Sequence, residues 1–377
     1  MIRFISIIFF CLTCLVNLNA QNLEVFRSKI ALPEGDVIGA AFYEGMGSFF
    51  VHQYVLTPVP SILEFRTHRQ LSSWDIKNQS IITKRVFDDN RPKTQVLPCG
   101  RVETSAKMRR VFICSADSYI ELLDPDNLSL VEKMAQQDSG IIGDFVVDDI
   151  RSRLFVLTSP GDGTTRLTAY SLPVGNKEHE TVLPVNARGK QMKLALDQDS
   201  GRIGIALNAT IRSGQNAEIY TCVYESSLAC TKITQTEAVS QMSFLERQIL
   251  AATDIGNKKE CLMTIDPVAR SMSRDYCSPS TGVHYAVGVV NGRYVAAFTG
   301  ISKTNWFTEE TRSVSSSFSV WRAGEHKVAV VAKDPTNYGS FQGALRVVAS
   351  RTEPLFITYA YHGMSGVLFL YTIVDKN

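Results

Sequence analysis

A short apolar strand pattern occurs seven times along this chain of 377 residues, each time directly after a turn residue. The seven runs are Ser48-Phe-Phe-Val51, Arg110-Val-Phe-Ile113, Arg153-Leu-Phe-Val156, Arg202-Ile-Gly-Ile205, Gln248-Ile-Leu-Ala251, Arg293-Tyr-Val-Ala296 and Pro354-Leu-Phe-Ile357. Successive runs begin 62, 43, 49, 46, 45 and 61 residues apart. A period near fifty, with room for four short strands in each unit, is typical of β-propellers. The spacing therefore predicts an all-β fold, a seven-bladed β-propeller of four-stranded antiparallel blades.

The third unit shows the order of strands within a blade, named a, b, c and d from the first to the last. Its predicted strands are Ile142–Val147, Arg153–Leu157, Arg166–Leu172 and Glu180–Leu183, and turns rich in Asp, Gly and Ser separate them. The same order predicts one domain, 21–377, with blades at about 37–87, 94–134, 141–183, 191–234, 239–277, 283–332 and 343–374. The last unit has no fourth strand after it. We expect Leu23–Arg27, within residues 23–31, to supply that strand, close the ring and remove two exposed edges.

The apolar b strands opened by Arg, as in Arg153-Leu154-Phe155-Val156, and the turn Asp124-Pro125-Asp126-Asn127 resemble the YVTN/WD40-like propeller superfamily. The resemblance covers residues 23–374 and concerns architecture, not activity. The Gly-His and Trp-Asp marks of true WD40 repeats are absent apart from Trp74-Asp75. A semaphorin-type propeller fits less well, because that family is longer and carries a cysteine-rich module after the propeller.

The amino terminus has the layout of a secretory signal. Arg3 precedes the apolar stretch Phe4–Val16, and Ala20 offers a small residue for cleavage, so residues 1–20 are predicted to be removed. No other stretch is long and apolar enough to span a bilayer. With 39 basic and 37 acidic residues well mixed, the charge gives no reason to expect a nucleic-acid partner. We expect a secreted protein, periplasmic if the source is bacterial, and a monomer.

Six cysteines remain after the expected cleavage, an even number suited to an oxidising compartment. Six cysteines allow fifteen pairings, but the predicted strands favour one of them. Each of three pairs lies at facing positions of a predicted hairpin, within disulfide reach. The predicted disulfides are Cys99–Cys114, Cys222–Cys230 and Cys261–Cys277. The alternative of free or zinc-binding thiols is less favoured, because the mature chain has no Cys-x-x-Cys motif.

Long b–c connections are the best candidates for a binding site, since long loops in compact domains are often functional. The longest predicted one, Thr299–Ser317, carries Trp306, Phe307 and Arg312, and Trp and Arg are frequent at interface hot spots. The alternative is that Trp306 folds back onto its own blade. Other predicted contact residues on the same face are Tyr54, Arg212 and Tyr338. The leading hypothesis is a non-enzymatic propeller that binds an extracellular protein or glycan through its b–c/d–a face.

The alternative hypothesis is a propeller-type hydrolase, lactonase or quinone-dependent oxidoreductase with a site at one mouth of the central channel. Asp144, Glu103 and Asp254 lie near the ends of inner strands or in loops and are the candidate carboxylates. The six histidines are scattered and have no metal-ligand spacing, so neither a metal nor a cofactor is expected. Three glycosylation sequons begin at Asn78, Asn127 and Asn208.

Overall fold

A computed structural model gives the architecture of most of the chain. It describes residues 23–33, 35–58, 65–87, 99–115, 118–135, 140–185, 192–208, 216–224, 227–253, 261–277, 283–304, 311–325, 330–334, 345–360 and 367–376. Within these ranges the chain forms seven antiparallel sheets of four strands, the seven blades of a β-propeller. In the same ranges we find no helix of the length and apolar character needed to cross a membrane.

Strands a, b, c and d follow one another in sequence in the first six blades, and sequential strands are neighbours in the sheet. Blades 1 to 3 consist of β2 (Gly35–Tyr43), β3 (Ser48–Pro58), β4 (Phe65–Asp75), β5 (Ile81–Val86); β6 (Val102–Ser105), β7 (Arg110–Cys114), β8 (Ile120–Leu123), β9 (Leu130–Met134); β10 (Ile141–Asp148), β11 (Arg153–Ser159), β12 (Thr165–Ser171), β13 (Lys177–Leu183). Blades 4 to 6 consist of β14 (Met192–Asp197), β15 (Arg202–Asn208), β16 (Asn216–Tyr224), β17 (Leu228–Glu237); β18 (Val239–Leu245), β19 (Gln248–Thr253), β20 (Cys261–Asp266), β21 (Ser271–Cys277); β22 (Val283–Val290), β23 (Tyr294–Thr304), β24 (Thr311–Arg322), β25 (Val330–Asp334).

Blade 7 joins the two ends of the chain. Its strands are β26 (Leu345–Ala349), β27 (Leu355–Ala360), β28 (Val367–Asp375) and, outermost, β1 (Leu23–Ala31). The register of β1 with β28 runs from Leu23 opposite Asp375 to Ala31 opposite Val367. The predicted ring closure by the amino-terminal strand is confirmed.

The hydrophobic core lies between neighbouring blades, because each sheet is apolar on both faces. Strand β1 contributes to two of these cores. Leu23 packs with Phe298 of blade 6 and Tyr371 of blade 7, whereas Ile30 packs with Phe49 of blade 1. One strand therefore ties blade 7 to both of its neighbours.

Two disulfides link neighbouring strands or the segments that lead into them. Cys99 is bonded to Cys114, with Cα atoms 5.9 Å apart, and Cys222 to Cys230, with Cα atoms 4.0 Å apart. Cys261 is also disulfide-bonded, and the register of β20 with β21 places it opposite Cys277.

The two faces of the ring differ. The face formed by the a–b and c–d connections, here called the turn face, has short turns such as 44–47, 106–109 and 149–152. The face formed by the b–c and d–a connections, here called the loop face, includes the longer segments 87–101, 209–215 and 335–344 between strands.

The blade 6 connection differs from the sequence expectation. Residues predicted as one loop, Thr299–Ser317, belong largely to strands β23 and β24, and only 305–310 join them. The run Thr311-Arg-Ser-Val-Ser-Ser-Ser-Phe318 is rich in Thr, Val and Ser, and its backbone pairs with β23 instead of looping out. The prediction was wrong in length, since the polar composition that suggested a loop is also tolerated by an extended hairpin.

Candidate functional site

The seven a strands place one residue each at the same level of the central channel. In six blades this residue pairs with the fifth residue of the b-strand run, counted from its opening turn residue. In blade 2, Arg101 directly precedes Val102, which pairs with the fourth residue of that run, Ile113. These seven, here called the ring residues, are Gly39, Arg101, Asp144, Lys193, Gln241, Val287 and Val347, and all of them line the channel. Blades 2 to 5 thus contribute polar ring residues, and blades 6, 7 and 1 contribute small or apolar ones.

Three of the ring residues directly follow a register shift in their a strand. The shifts lie between Val37 and Gly39, between Ile142 and Asp144, and between Val239 and Gln241. An extra residue in an antiparallel strand bends the backbone and changes the direction of the next side chain. The bulges therefore set how these residues meet the channel.

Arg101 is the centre of an ion-pair network in the channel. Its Nε donates to Oε1 of Glu103 at 2.7 Å, and its Nη1 contacts Oδ2 of Asp144 at 3.2 Å. Nη1 also donates to the carbonyl of Leu194, two blades away, at 2.8 Å. Burial by itself lowers the pKa of Arg101, but Asp144 and Glu103 outweigh it and raise that pKa, so the guanidinium stays charged.

Both carboxylates of this network are already engaged. Asp144 accepts hydrogen bonds from the backbone N–H groups of Phe145 at 3.0 Å and Leu194 at 2.7 Å, besides Arg101. Glu103 pairs through Oε2 with Nη2 of Arg351, which belongs to the a–b turn of blade 7, at 3.0 Å. The two carboxylates hold two arginines in place. They are poorly suited to act as general bases, since the oxygens that would take up a proton already accept hydrogen bonds. Asp254 lies outside the described residues.

A second bridge crosses the channel at the level of the ring residues. The Gln241 amide donates through Nε2 to the carbonyl of Val347, and its Oε1 accepts from the Val347 N–H at 3.2 Å. Gln241 belongs to blade 5 and Val347 to blade 7. Together with the bond from Arg101 to Leu194, this bridge makes a floor across the channel.

The space on one side of this floor is a cavity of about 1040 Å³. It extends to the turn face, because a–b turn residues of several blades line it, among them Glu44, Asp199, Glu246, Asn291 and Arg351. The channel here has the form of a cup that opens on the turn face. The volume is slightly above the usual range of small-molecule sites.

Hydrogen bonds between neighbouring a–b turns hold the mouth of this cup. Glu44 accepts from the Arg351 N–H at 2.8 Å and from Oγ of Ser350 at 2.7 Å, which joins blade 1 to blade 7. Arg151 of blade 3 donates to the carbonyl of Asp199 of blade 4 at 3.0 Å. The mouth is therefore built from turns that support one another.

Most of the predicted contact residues of the loop face lie outside the described residues, namely Trp306, Phe307, Arg212 and Tyr338. Arg312 is on strand β24, opposite Lys303 of β23. Tyr54 is on β3 and only 7% exposed, so its side chain is not available for contact with a large partner.

Two hairpins extend past their neighbouring strands on the loop face. In blade 6 the last rungs, from Ser302–Ser313 to Thr304–Thr311, lie beyond the pairing of β22, which reaches Ile301. In blade 1 the rungs from Leu56–Thr67 to Pro58–Phe65 lie beyond the pairing of β2, which reaches Val55. Three further rungs correspond to roughly 10 Å of strand. The two hairpins belong to the blades on either side of blade 7.

The three sequons differ in accessibility. Asn78 and Asn127 are exposed on c–d turns of the turn face. Asn208 is buried, and its amide donates to the Val239 carbonyl at 2.9 Å and accepts from the Val239 N–H at 2.8 Å. Glycosylation of Asn208 would attach a sugar to Nδ2, the buried nitrogen that donates to Val239.

Comparison with known proteins supports the fold. No family model matches the chain, and no curated protein matches it. Among solved structures, the chain is similar to the beta-propeller domain of Cps50 (Swd1) from Myceliophteria thermophila, with a TM-score of 0.52 and 10% identity over 91% of this chain and 99% of that one. This likeness establishes the β-propeller fold and nothing finer, so membership of the YVTN/WD40-like superfamily stays a prediction.

Proposed function

We propose that this protein is a secreted, non-enzymatic β-propeller that binds a protein or glycan partner through its loop face. The observation that carries the proposal is the pair of extended hairpins, Leu56–Pro58 with Phe65–Thr67 and Ser302–Thr304 with Thr311–Ser313. They flank blade 7 and rise on the same face, which favours a partner held above that blade. The propeller fold often serves as a scaffold for interactions of this kind.

The sequence candidates concentrate around the same blade. Trp306 and Phe307 belong to the six residues that join Thr304 to Thr311, and Tyr338 belongs to the segment that joins β25 to β26. Arg212 belongs to the segment that joins β15 to β16 of blade 4 and is not part of this proposed surface. Secretion fits the predicted signal at 1–20 and the two disulfides, which persist in oxidising compartments.

The test is capture of a partner by immobilised protein. We expect the double variant Trp306→Ala with Arg312→Ala to reduce capture from the source's extracellular fluid at least tenfold, as loss of a hot spot does. Arg274→Ala is a matched control, because Arg274 is an exposed arginine on β21, the outermost strand of blade 5. Thermal unfolding of both variants shows whether the fold is kept.

The proposal fails if the double variant captures the same partner as well as the parent protein does. Enzymatic removal of glycans from the captured partner distinguishes the two partner classes. Capture that survives deglycosylation indicates a protein surface, and capture that is lost indicates a glycan.

A further inference from the structure

Two arginines of the channel, Arg101 and Arg351, keep hydrogen-bond donors that nothing in the described part of the chain accepts. Arg101 uses Nε and Nη1, which leaves Nη2 without an acceptor. The guanidinium of Arg351 donates only through Nη2, to Glu103, which leaves Nε and Nη1. A guanidinium has five donors, and those that face a cavity are available to a ligand.

Both side chains border open space inside the protein. The Arg101 side chain is 29% exposed although it contacts blades 2, 3 and 4, and the Arg351 side chain is 40% exposed at the mouth. Both residues line the cup of about 1040 Å³. They share one carboxylate, Glu103, which holds the two guanidinium groups on the same side of the cup.

The charged residues near the floor of the cup favour an anion. Near the floor, Lys193 and Arg346 line the cavity besides Arg101, and Asp144 and Glu103 are the carboxylates there. Asp144 is already bonded to two backbone N–H groups and to Arg101. The mouth is lined by Arg247 and by the carboxylates of Asp197, Asp199 and Glu246 on blades 4 and 5, across the ring from Arg351. Glu44 lies beside Arg351, but its carboxylate already accepts hydrogen bonds from Ser350, Arg351 and Thr352.

We propose that the cup is a binding site for a carboxylate group, held by Arg101 and Arg351 and entering from the turn face. A guanidinium matches the planar carboxylate with two parallel N–H donors, which makes such a pair both strong and directional. Val287 and Val347, the apolar ring residues of blades 6 and 7, would contact the apolar part of the same ligand. The site is independent of the proposed partner on the loop face, because it opens on the other side of the ring.

Calorimetric titration of the full chain with succinate tests the site, with the neutral succinamide as its comparison. We expect succinate to bind and succinamide to bind at least tenfold more weakly. Arg351→Gln should raise the succinate dissociation constant at least tenfold. Arg101→Gln, which changes the arginine near the floor of the cup, should do the same. Arg101→Gln removes the ion-pair partner of buried Asp144 and one of the two arginines that pair with Glu103. Because this change endangers the fold, the exposed Arg351 carries the test.

Arg166→Gln is the matched control, since Arg166 also contacts two carboxylates, Asp162 and Glu180, but does not line the cup. It should change succinate binding less than twofold. Absence of succinate binding up to 50 mM, equal binding of succinamide, or an unchanged dissociation constant in Arg351→Gln would each overturn the proposal.

A tetraglutamate peptide in place of succinate identifies the source of the carboxylate. Tenfold tighter peptide binding indicates an acidic polypeptide, and equal binding indicates a small acid.

Discussion

At the scale of single residues, His52 is the most unusual feature of the described core. It is fully buried, neither ring nitrogen has a hydrogen-bond partner, and Phe87 packs against its ring. The corresponding b-strand position is Leu157 in blade 3 and Ala206 in blade 4. A polar group thus occupies an apolar position of the repeat, at a cost in desolvation.

This histidine predicts a dependence of stability on pH. Burial, and then the charge of Arg69, lowers the pKa of His52 well below 6.5. Below about pH 6.5 the His52 imidazole binds a proton in the unfolded chain but stays neutral in the folded protein. The free energy of unfolding therefore falls as the pH falls. The contribution of His52 reaches about 1.4 kcal/mol for each pH unit below that point.

His52→Leu should remove this contribution. We expect the free energy of unfolding of His52→Leu, relative to the parent, to increase between pH 7.5 and pH 5 in urea titrations. His68→Leu serves as the comparison, because His68 is only partly buried on the neighbouring strand β4. A difference between His52→Leu and the parent that is the same at both pH values would contradict the argument.

At the scale of strands and hairpins, local pattern in the sequence predicts much of the structure. The apolar run at Arg153 opens β11, and the register places Cys222 opposite Cys230, because both follow from alternation along one hairpin. Arg101 and Gln241 were not found from sequence. Their partners lie 93 and 106 residues away, across the ring, and no local pattern reports a contact between blades that are not adjacent. The unusual Gly100-Arg101 before an inner strand was the available signal.

The hairpin of β16 and β17 gives a prediction at this scale. The disulfide Cys222–Cys230 closes a short loop, with a sequence separation of 8. In the chain-entropy model, closing such a loop lowers the entropy of the unfolded chain and so stabilises the folded protein by about 2.5 kcal/mol. Replacing both cysteines with serine should lower the free energy of unfolding by about that amount.

The measurement is denaturant unfolding of the double serine variant, compared with the parent under non-reducing conditions. Thr221→Ser, next to the bridge on the same strand, controls for a small polar change there. An unchanged unfolding midpoint and slope would show that the bridge does not restrict the unfolded chain.

At the scale of the whole molecule, the ring depends on three kinds of closure. Strand β1 completes blade 7, the network from Glu103 to Arg351 joins blade 2 to blade 7, and Gln241 joins blade 5 to blade 7. Blade 7 is therefore the point where distant parts of the chain meet. Closure matters because an open ring would leave β28 as an unpaired edge.

Removal of residues 1–32 tests this role of β1. The truncated chain loses the pairing from Leu23–Asp375 to Ala31–Val367 and the burial of Leu23 and Ile30. Burial of two such side chains alone is worth about 3–6 kcal/mol. We expect a large loss of stability and self-association through the exposed edge of β28, measured by urea unfolding and by light scattering after size exclusion.

Leu23→Ala separates the two effects, since it keeps the pairing of β1 and removes only part of the core between blades 6 and 7. It should cost about 2–4 kcal/mol, as large-to-small core substitutions do, and leave the association state unchanged. A truncated chain with the association state and stability of the parent would show that the ring closes without β1. Association in both variants would instead place its cause in the loosened core, because Leu23→Ala leaves the edge of β28 covered.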